Sequence, residues 1–495
     1  MRFFIALLVL AFSLCASSIQ AQPTDSKPLA ITHVTLIDVT GGASQPEMTV
    51  IIKGNRITAL GKSGKVRLPQ GAQVIEAAGK FLIPGLWDMH IHLTVIADQE
   101  ITRHVIAPLL VAYGITGVRD MGGDWQRLQG LRSEIAGGQI MGPRILTPGP
   151  FVDGPQTASN IVLPVSNEEE ARQAVRKLKA EGVDFIKVQA ALSLPLWRAV
   201  LDEAFRLQIP VAGHIPERIS AFDVARSTQR SIEHISPVLP GDAGVLMACS
   251  GKETELRAEM LEIERLAEQK DVDQQLLRKR YRALQSQMIS TTDEKKCAQL
   301  LSRFAKQGTV AVPTIIFGRQ FAPLDAGDLP KDEALDCVPH SMRARWENRR
   351  NAVIKNSAPE DFAFRRQMFE KSLALVGWMH RAGVRLLAGT DAIDGYVVPG
   401  LSLHQELALL VEAGLTPLEA LQSATIYAAR FLGKGQELGT VAVGKLADLV
   451  LLDANPLSDI HNTQKISAVV SNGRMLDRPA LDAMLAKITA VAGQK

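Results

Sequence analysis

From Pro84 to about Gly433 the chain alternates short apolar, β-branched segments with longer helical ones such as Glu168 to Ala180 and Leu196 to Arg206. Repeated strand and helix units of this kind build a parallel sheet with its helices outside. Strand ends fall near His90, Arg119, Leu146, Lys187, His214, His234, Thr314 and Asp391, a set of eight that predicts an α/β fold closed into a (β/α)8 barrel. Such barrels carry their chemistry at the C-terminal ends of the strands. The residue types at those ends therefore decide what the chain can do.

Residues 82–92 read LIPGLWDMHIH, which places two histidines one residue apart. Side chains at i and i+2 of a strand share a face, so His90 and His92 reach one point from a rigid backbone. Alone, such a pair also fits a half-exposed strand surface. Pro210 to His214 and Ser231 to His234 each finish in a histidine, and Val384 to Asp391 finishes in an aspartate. Between them, Val183 to Val188 carries one lysine, Lys187, among apolar residues. By itself Lys187 reads as an amine snorkelling to the rim or pairing with Asp184. Imidazole, carboxylate and an anchored lysine recurring at strand ends read instead as one site.

Taken together these segments resemble the amidohydrolase superfamily, and within it the imidazolonepropionase-like and prolidase-like branch. The matching stretches are Gly85 to His92, Gly114 to Gly123 (GITGVRDMGG), Asp184 to Lys187, Ser231 to His234 and Gly389 to Ala392. Thr416 to Leu421, Gly439 to Val441 and Gly444 to Val450 extend the likeness towards the C-terminus, so it runs from about Ile31 to Arg474 with two long interruptions.

The resemblance implies a metal-dependent hydrolase of carbon–nitrogen bonds in dipeptides, N-acyl amino acids or small cyclic amides. It implies two divalent ions, most often Zn2+. His90, His92 and Asp391 would hold one ion and His214 and His234 the other. Lys187 would bridge them as a carbamate derived from carbon dioxide, because an ammonium there would repel the cations. A hydroxide bridging the ions would attack the carbonyl, with Asp391 as general acid and base. Asp391 also reads as a helix N-cap after Gly389 and Thr390, which leaves ligation open.

Arg119 reads as a strand-end ion pair with Asp120, or less favourably as a grip for a substrate carboxylate. His404 is expected to pack within the helix after the last strand. One rival is a single-metal deaminase, for which His214-Ile215-Pro216-Glu217 supplies an HxxE pattern with Glu217 as proton shuttle. Another is a barrel that keeps the fold without catalysis.

A net charge of +3, from 55 basic and 52 acidic residues, gives no reason to expect a nucleic acid or membrane-surface partner. A small-molecule substrate fits better, and an oligomer is left open. Met1 and Arg2, the apolar run to Ala16 and the small residues up to Ala21 predict a signal peptide over 1–21 and a periplasmic or secreted product. Three cysteines would remain, as one pair and one free thiol or as three unbonded thiols, and Cys249 with Cys297, bracketing one insertion, is the expected pair.

Short strands with turns at both ends, including a Gly54-Asn55 hairpin, predict a composite β-sandwich from 22–83 and 436–495 around a barrel at 84–435. Insertions at 251–306 and 315–380 leave the catalytic face, where they would form a lid and set substrate choice. Leu256, Met260 and Ile263 mark a buried helical stripe in the first. In the second, Arg343, Arg345, Arg349 and Arg350 read as a solvent-facing helix.

Overall fold

Strand Leu86–Ile91, with the first histidine near its end, pairs in parallel with Ile115–Asp120, and that strand pairs with Arg144–Leu146. Ile186–Val188, Val211–Gly213, Gln229–Glu233 and Val310–Val312 follow as parallel neighbours. The two runs meet where Asp184 N donates to Thr147 O at 3.0 Å. The eighth position is the chain around Leu386, which makes a parallel bridge to Ala311. Leu387 N donates to Ala311 O and Met89 N to Ala388 O, so the ring closes on the first strand. This computed structural model describes residues 27–494 apart from 96–97, 156–157, 236–243, 268, 270, 326–332 and 393–394. The leader expected at 1–21 lies outside the described residues.

Trp87, Met89, Val310, Val312 and Leu387 form one buried cluster with Ala428 and Ala429. Gly117 is required beside it, because a Cβ there would stand 2.1 Å from the Trp87 ring. A large aromatic thus fills the space that a glycine on the neighbouring strand leaves open.

The chain ends meet in one eight-stranded sheet. Its order is Arg474–Asp477, Ile466–Ser471, Leu449–Leu452, Phe81–Pro84, Leu29–Leu36, Gln45–Lys53 and Arg56–Lys62, with Gln73–Glu76 also paired to Leu29–Leu36. Gly54 and Asn55 make the expected turn, joining the paired Lys53 and Arg56. Alternate residues including Ile31, Val50, Ile52, Leu449 and Leu451 build a separate apolar core under this sheet. Phe81–Pro84 then runs almost directly into the barrel's first strand, which anchors the base of the histidine segment.

The first insertion folds as helices Glu253–Ala267, Gln274–Ser290 and Glu294–Gln307, and buries Leu256, Met260 and Ile263 as their spacing requires. Cys249 and Cys297 are joined across it as a disulfide, while Cys337 is a buried free thiol. The second comprises Ile315–Phe321, a 3-10 turn at Glu333–Cys337, His340–Lys355 and Pro359–Arg381. Its arginines depart from expectation. Arg345 is exposed, but Arg343, Arg349 and Arg350 are half-buried, and the Arg349 guanidinium lies 5.1 Å from the Phe321 ring centroid. Delocalised charge packs readily on an aromatic face, so a run of arginines did not mean a solvated face. Among the described residues no helix is long and apolar enough to cross a membrane.

Candidate metal centre and active site

The barrel rim brings His90, His92 and Asp391 together, with one potential ligand atom from each within 4.8 Å of the others. Asp391 Oδ1 stands 3.5 Å from both His90 Nε2 and His92 Nε2. His234 adjoins this group, its ring centroid 4.6 Å from that of His90, and His214 follows at 4.9 Å from His234. Lys187 is buried, its Nζ 6.0 Å from the centre of the Phe151 ring, and it interacts electrostatically with Asp391 and Glu233. It does not pair with Asp184, which bonds Arg132 at 3.1 Å and lies off this cluster.

Backbone geometry places these side chains. His234, Thr314 and Asp391 all hold positive φ, at 58°, 49° and 59°, an uncommon conformation for non-glycine residues that gathers at functional sites. Asp391 N donates to His90 O at 2.7 Å and Thr390 N to the same oxygen at 3.1 Å, tying the last barrel segment to the first. Gly389 permits that approach, since a Cβ would come within 2.7 Å of His90 N. Asp88 completes the tie by accepting from Thr390 Oγ1 at 2.6 Å and from the amides of Thr390 and His90.

The outer nitrogens are assigned by what they touch. His90 Nδ1 lies 2.9 Å from Glu233 Oε2, and His92 Nδ1 lies 2.9 Å from the Gly122 carbonyl. Each of those partners accepts, so Nδ1 carries the proton and Nε2 keeps its lone pair towards the cluster. His234 Nδ1 stands 2.8 Å from Thr314 Oγ1. His90 Nε2 and His214 Nδ1 are buried without a hydrogen-bond partner among the described residues. Burial, together with Lys187, holds all four imidazoles neutral: His92 is pushed down to about 3, and the other three fall well below the ordinary value. Neutral imidazoles with unsatisfied inward nitrogens, grouped with a carboxylate, are a donor set that suits a divalent cation.

Around this set lies a layer that sequence reasoning did not assign. Arg119 is fully buried and its Nη2 donates to both Glu233 oxygens at 2.9 and 2.7 Å, while its Nε donates to Met89 O and its Nη1 to Ser231 Oγ. It therefore neither pairs with Asp120 nor reaches out to a substrate. Asp120 instead accepts from Leu93 N, Gly122 N and Thr147 Oγ1. Glu406 accepts from the amides of Ile315 and Ile316, which fixes the helix start just after Thr314. The available signal was a carboxylate within an apolar segment, at Glu233 and again at Glu406. His404 packs as expected, bonded to Thr463 Oγ1 and Tyr113 O. Glu217, half-buried, lines a cavity between the insertions.

The profile of the Amidohydrolase family matches residues 81–476. Imidazolonepropionase of Pseudomonas entomophila is 25% identical over 424 residues, covering 82% of this chain and 87% of that protein. A stretch of 99 residues is 36% identical to imidazolonepropionase of Geobacillus sp., but spans 19% of this chain and only 23% of that relative. In fold the chain is similar to a crystal structure of a Xaa-Pro dipeptidase, with a TM-score of 0.63 and 20% identity over 91% of this chain and 100% of the other. A match across most of the chain, together with the possible metal site at its barrel rim, establishes that the protein belongs to the amidohydrolase family of metal-dependent hydrolases that cleave carbon–nitrogen bonds.

Proposed function

We propose that the chain hydrolyses the amide bond of small substrates such as dipeptides or N-acyl amino acids, using two divalent ions, most simply zinc. The observation that carries this reading is the convergence of His90 Nε2, His92 Nε2 and Asp391 Oδ1, with His90 Nε2 buried and otherwise unpartnered. His90, His92 and Asp391 would hold one ion, and His214 and His234 the other. Bound there, the ions would polarise the scissile carbonyl and make water acidic enough to attack it. Asp391 takes up the proton of the attacking water and returns it to the leaving nitrogen, a role suited to a partly exposed carboxylate beside both imidazoles.

Lys187 has the second role. Burial pulls its amine down from the ordinary lysine range, which favours the neutral, nucleophilic form. Attack of that nitrogen on carbon dioxide would form one N–C bond as one C–O π bond opens, release one proton and leave an anionic carbamate able to hold both ions. Export after removal of residues 1–21 belongs to the same proposal, and mass spectrometry of the exported protein should find Gln22 at its terminus.

Metal analysis beside an amide panel tests the reading. Two ions per chain with amide hydrolysis is the expected result, and Lys187→Ala should lose metal and activity together, with partial recovery on adding a small carboxylate. One ion per chain with release of ammonia from an aminopurine or aminopyrimidine would replace this reading with the deaminase one, in which Glu217 moves the proton.

A further inference from the structure

The two insertions line most of a half-open cavity of about 820 Å3. Its walls come from helices Glu253–Ala267, Gln274–Ser290, Ile315–Phe321 and Pro359–Arg381. It touches the catalytic rim through the chain itself. Glu217 on its wall is three residues beyond His214, and helix Ile315–Phe321 starts at Thr314, the residue bonded to His234. The volume falls within the ~300–1,000 Å3 usual for small-molecule sites.

The lining is apolar with a few charges. Phe321, Phe364, Phe369 and Met368 supply the apolar surface, while five cationic and three anionic residues share the walls. Of the anionic three, Asp361 is already engaged, by Arg282 from the facing helix and by the Ala358 amide at 2.7 Å. Two residues of the wall each carry a buried polar atom without a hydrogen-bond partner among the described residues, Arg365 at Nε and Glu264 at Oε1. A guanidinium N–H and a carboxylate oxygen both lose solvation on burial, and each recovers it only by finding a partner. Neither atom finds one among the described residues, and both side chains line the cavity, so a small turn of either gives an entering ligand one donor or one acceptor.

We infer that this cavity receives the part of the substrate remote from the scissile amide, and that this part is a carboxylate on a bulky apolar body. The carboxylate binds Arg365, the apolar body lies against the phenylalanines, and an N–H or O–H of the ligand donates to Glu264. The inference rests on the amide-hydrolase reading for its chemistry and adds which amides are preferred.

Three probes test it: 4'-acetamidobiphenyl-4-carboxylic acid, whose carboxylate lies two rings away from the amide, its alcohol analogue 4'-acetamido-4-(hydroxymethyl)biphenyl, which lacks the carboxylate, and N-acetylglycine, which leaves most of the cavity empty. Arg365→Met should lower the acid-to-alcohol ratio of kcat/KM by roughly tenfold, mainly through KM, with metal content unchanged, as loss of one charged hydrogen bond predicts. Arg365→Lys should recover part of the ratio. Ala267→Trp, at the cavity wall, should lower both bulky compounds relative to N-acetylglycine. An unchanged ratio in the Arg365 variants together with unchanged size preference in Ala267→Trp overturns the inference. If Arg365→Met fails to fold, Arg365→Lys and Ala267→Trp still decide it. Arg365-dependent calorimetric binding of the acid by a wild-type protein that cleaves none of the three would uphold the cavity and refute amide hydrolysis. Cleavage of N-acetylglycine without preference for the acid would do the reverse.

Discussion

His90 and His92 each commit Nδ1 to a firm acceptor, Glu233 and the Gly122 carbonyl, whereas His214 keeps a buried Nδ1 without a partner among the described residues and His234 leans on the hydroxyl of Thr314. The first pair is therefore fixed in ring orientation and tautomer before any ion arrives. A hydroxyl can donate or accept, so Thr314 orients its imidazole while leaving the tautomer open. On the two-ion reading proposed above, one half of the centre would be built by the fold and the other completed when it is filled.

Asp391→Asn should break this contrast most severely. The amide cannot take up the nucleophile's proton and is a poorer ligand, so turnover should fall by roughly 10^2–10^4 on every substrate, and metal content should drop towards half if only the first pair is emptied. Equal loss from both halves, measured as a metal content near zero, would show that the halves are not independent.

Glu233→Ala comes next. It strands the buried Arg119 and removes the acceptor of His90, and breaking a buried ion pair in this way costs about 3–5 kcal/mol. Chemical denaturation of the metal-free protein should show that loss. A wild-type midpoint would mean that Arg119 and Glu233 are not what stiffens the first half.

Thr314→Val tests the second half. Loss of an outer partner to a metal-binding histidine typically weakens affinity about 10–100-fold, so chelator titration should release one class of ion early while the other stays. Thr314→Ser should retain most of the affinity.

The smallest effect is on pH. In the unfolded chain the four imidazoles and His404 take up protons as pH falls below about 6.5, while in the fold His404 does so only at about 4 and His92 at about 3. The unfolded state thus binds more protons in that window, and the metal-free protein should lose stability progressively as pH falls through it. Asp88 at about 7 and Glu406 at about 8 act in the opposite sense, favouring the fold at low pH and losing that contribution as pH rises through those values. His404→Gln should make the acid side of the thermal midpoint profile shallower without altering metal content.

The barrel was legible because each short strand advertises itself by local composition, and the strand ends at His90, Lys187, His214, His234 and Asp391 carried residue types that apolar packing does not explain. What stayed hidden was pairing between distant segments. Arg119 finds Glu233 across 114 residues, and nothing near either in sequence points to the other. Asp184, next but two to Lys187, looked a natural partner, but strand alternation and the turn before it send the two side chains to different neighbours. Arg349 misled in the same way, since its stacking partner Phe321 belongs to another helix. The left-handed backbone at His234, Thr314 and Asp391 leaves only a faint mark in residue type, since histidine and aspartate tolerate it more often than most side chains but occur far more often outside it.

The sheet shared by the two chain ends has a consequence for biosynthesis. Lys80, just ahead of the strand that leads into the histidine segment, meets Asp453 from 373 residues further on, and Phe81–Pro84 has Leu449–Leu452 as its antiparallel neighbour. At ~5–20 residues per second a ribosome takes roughly 20 to 75 s to cover that distance. Throughout that interval the first barrel strand lacks the edge that anchors it, and for most of it the imidazoles also lack Asp391, which is itself translated late. The catalytic rim is thus completed only after most of the chain has been made, and on the metal-centre reading proposed above ion capture would follow synthesis instead of guiding it.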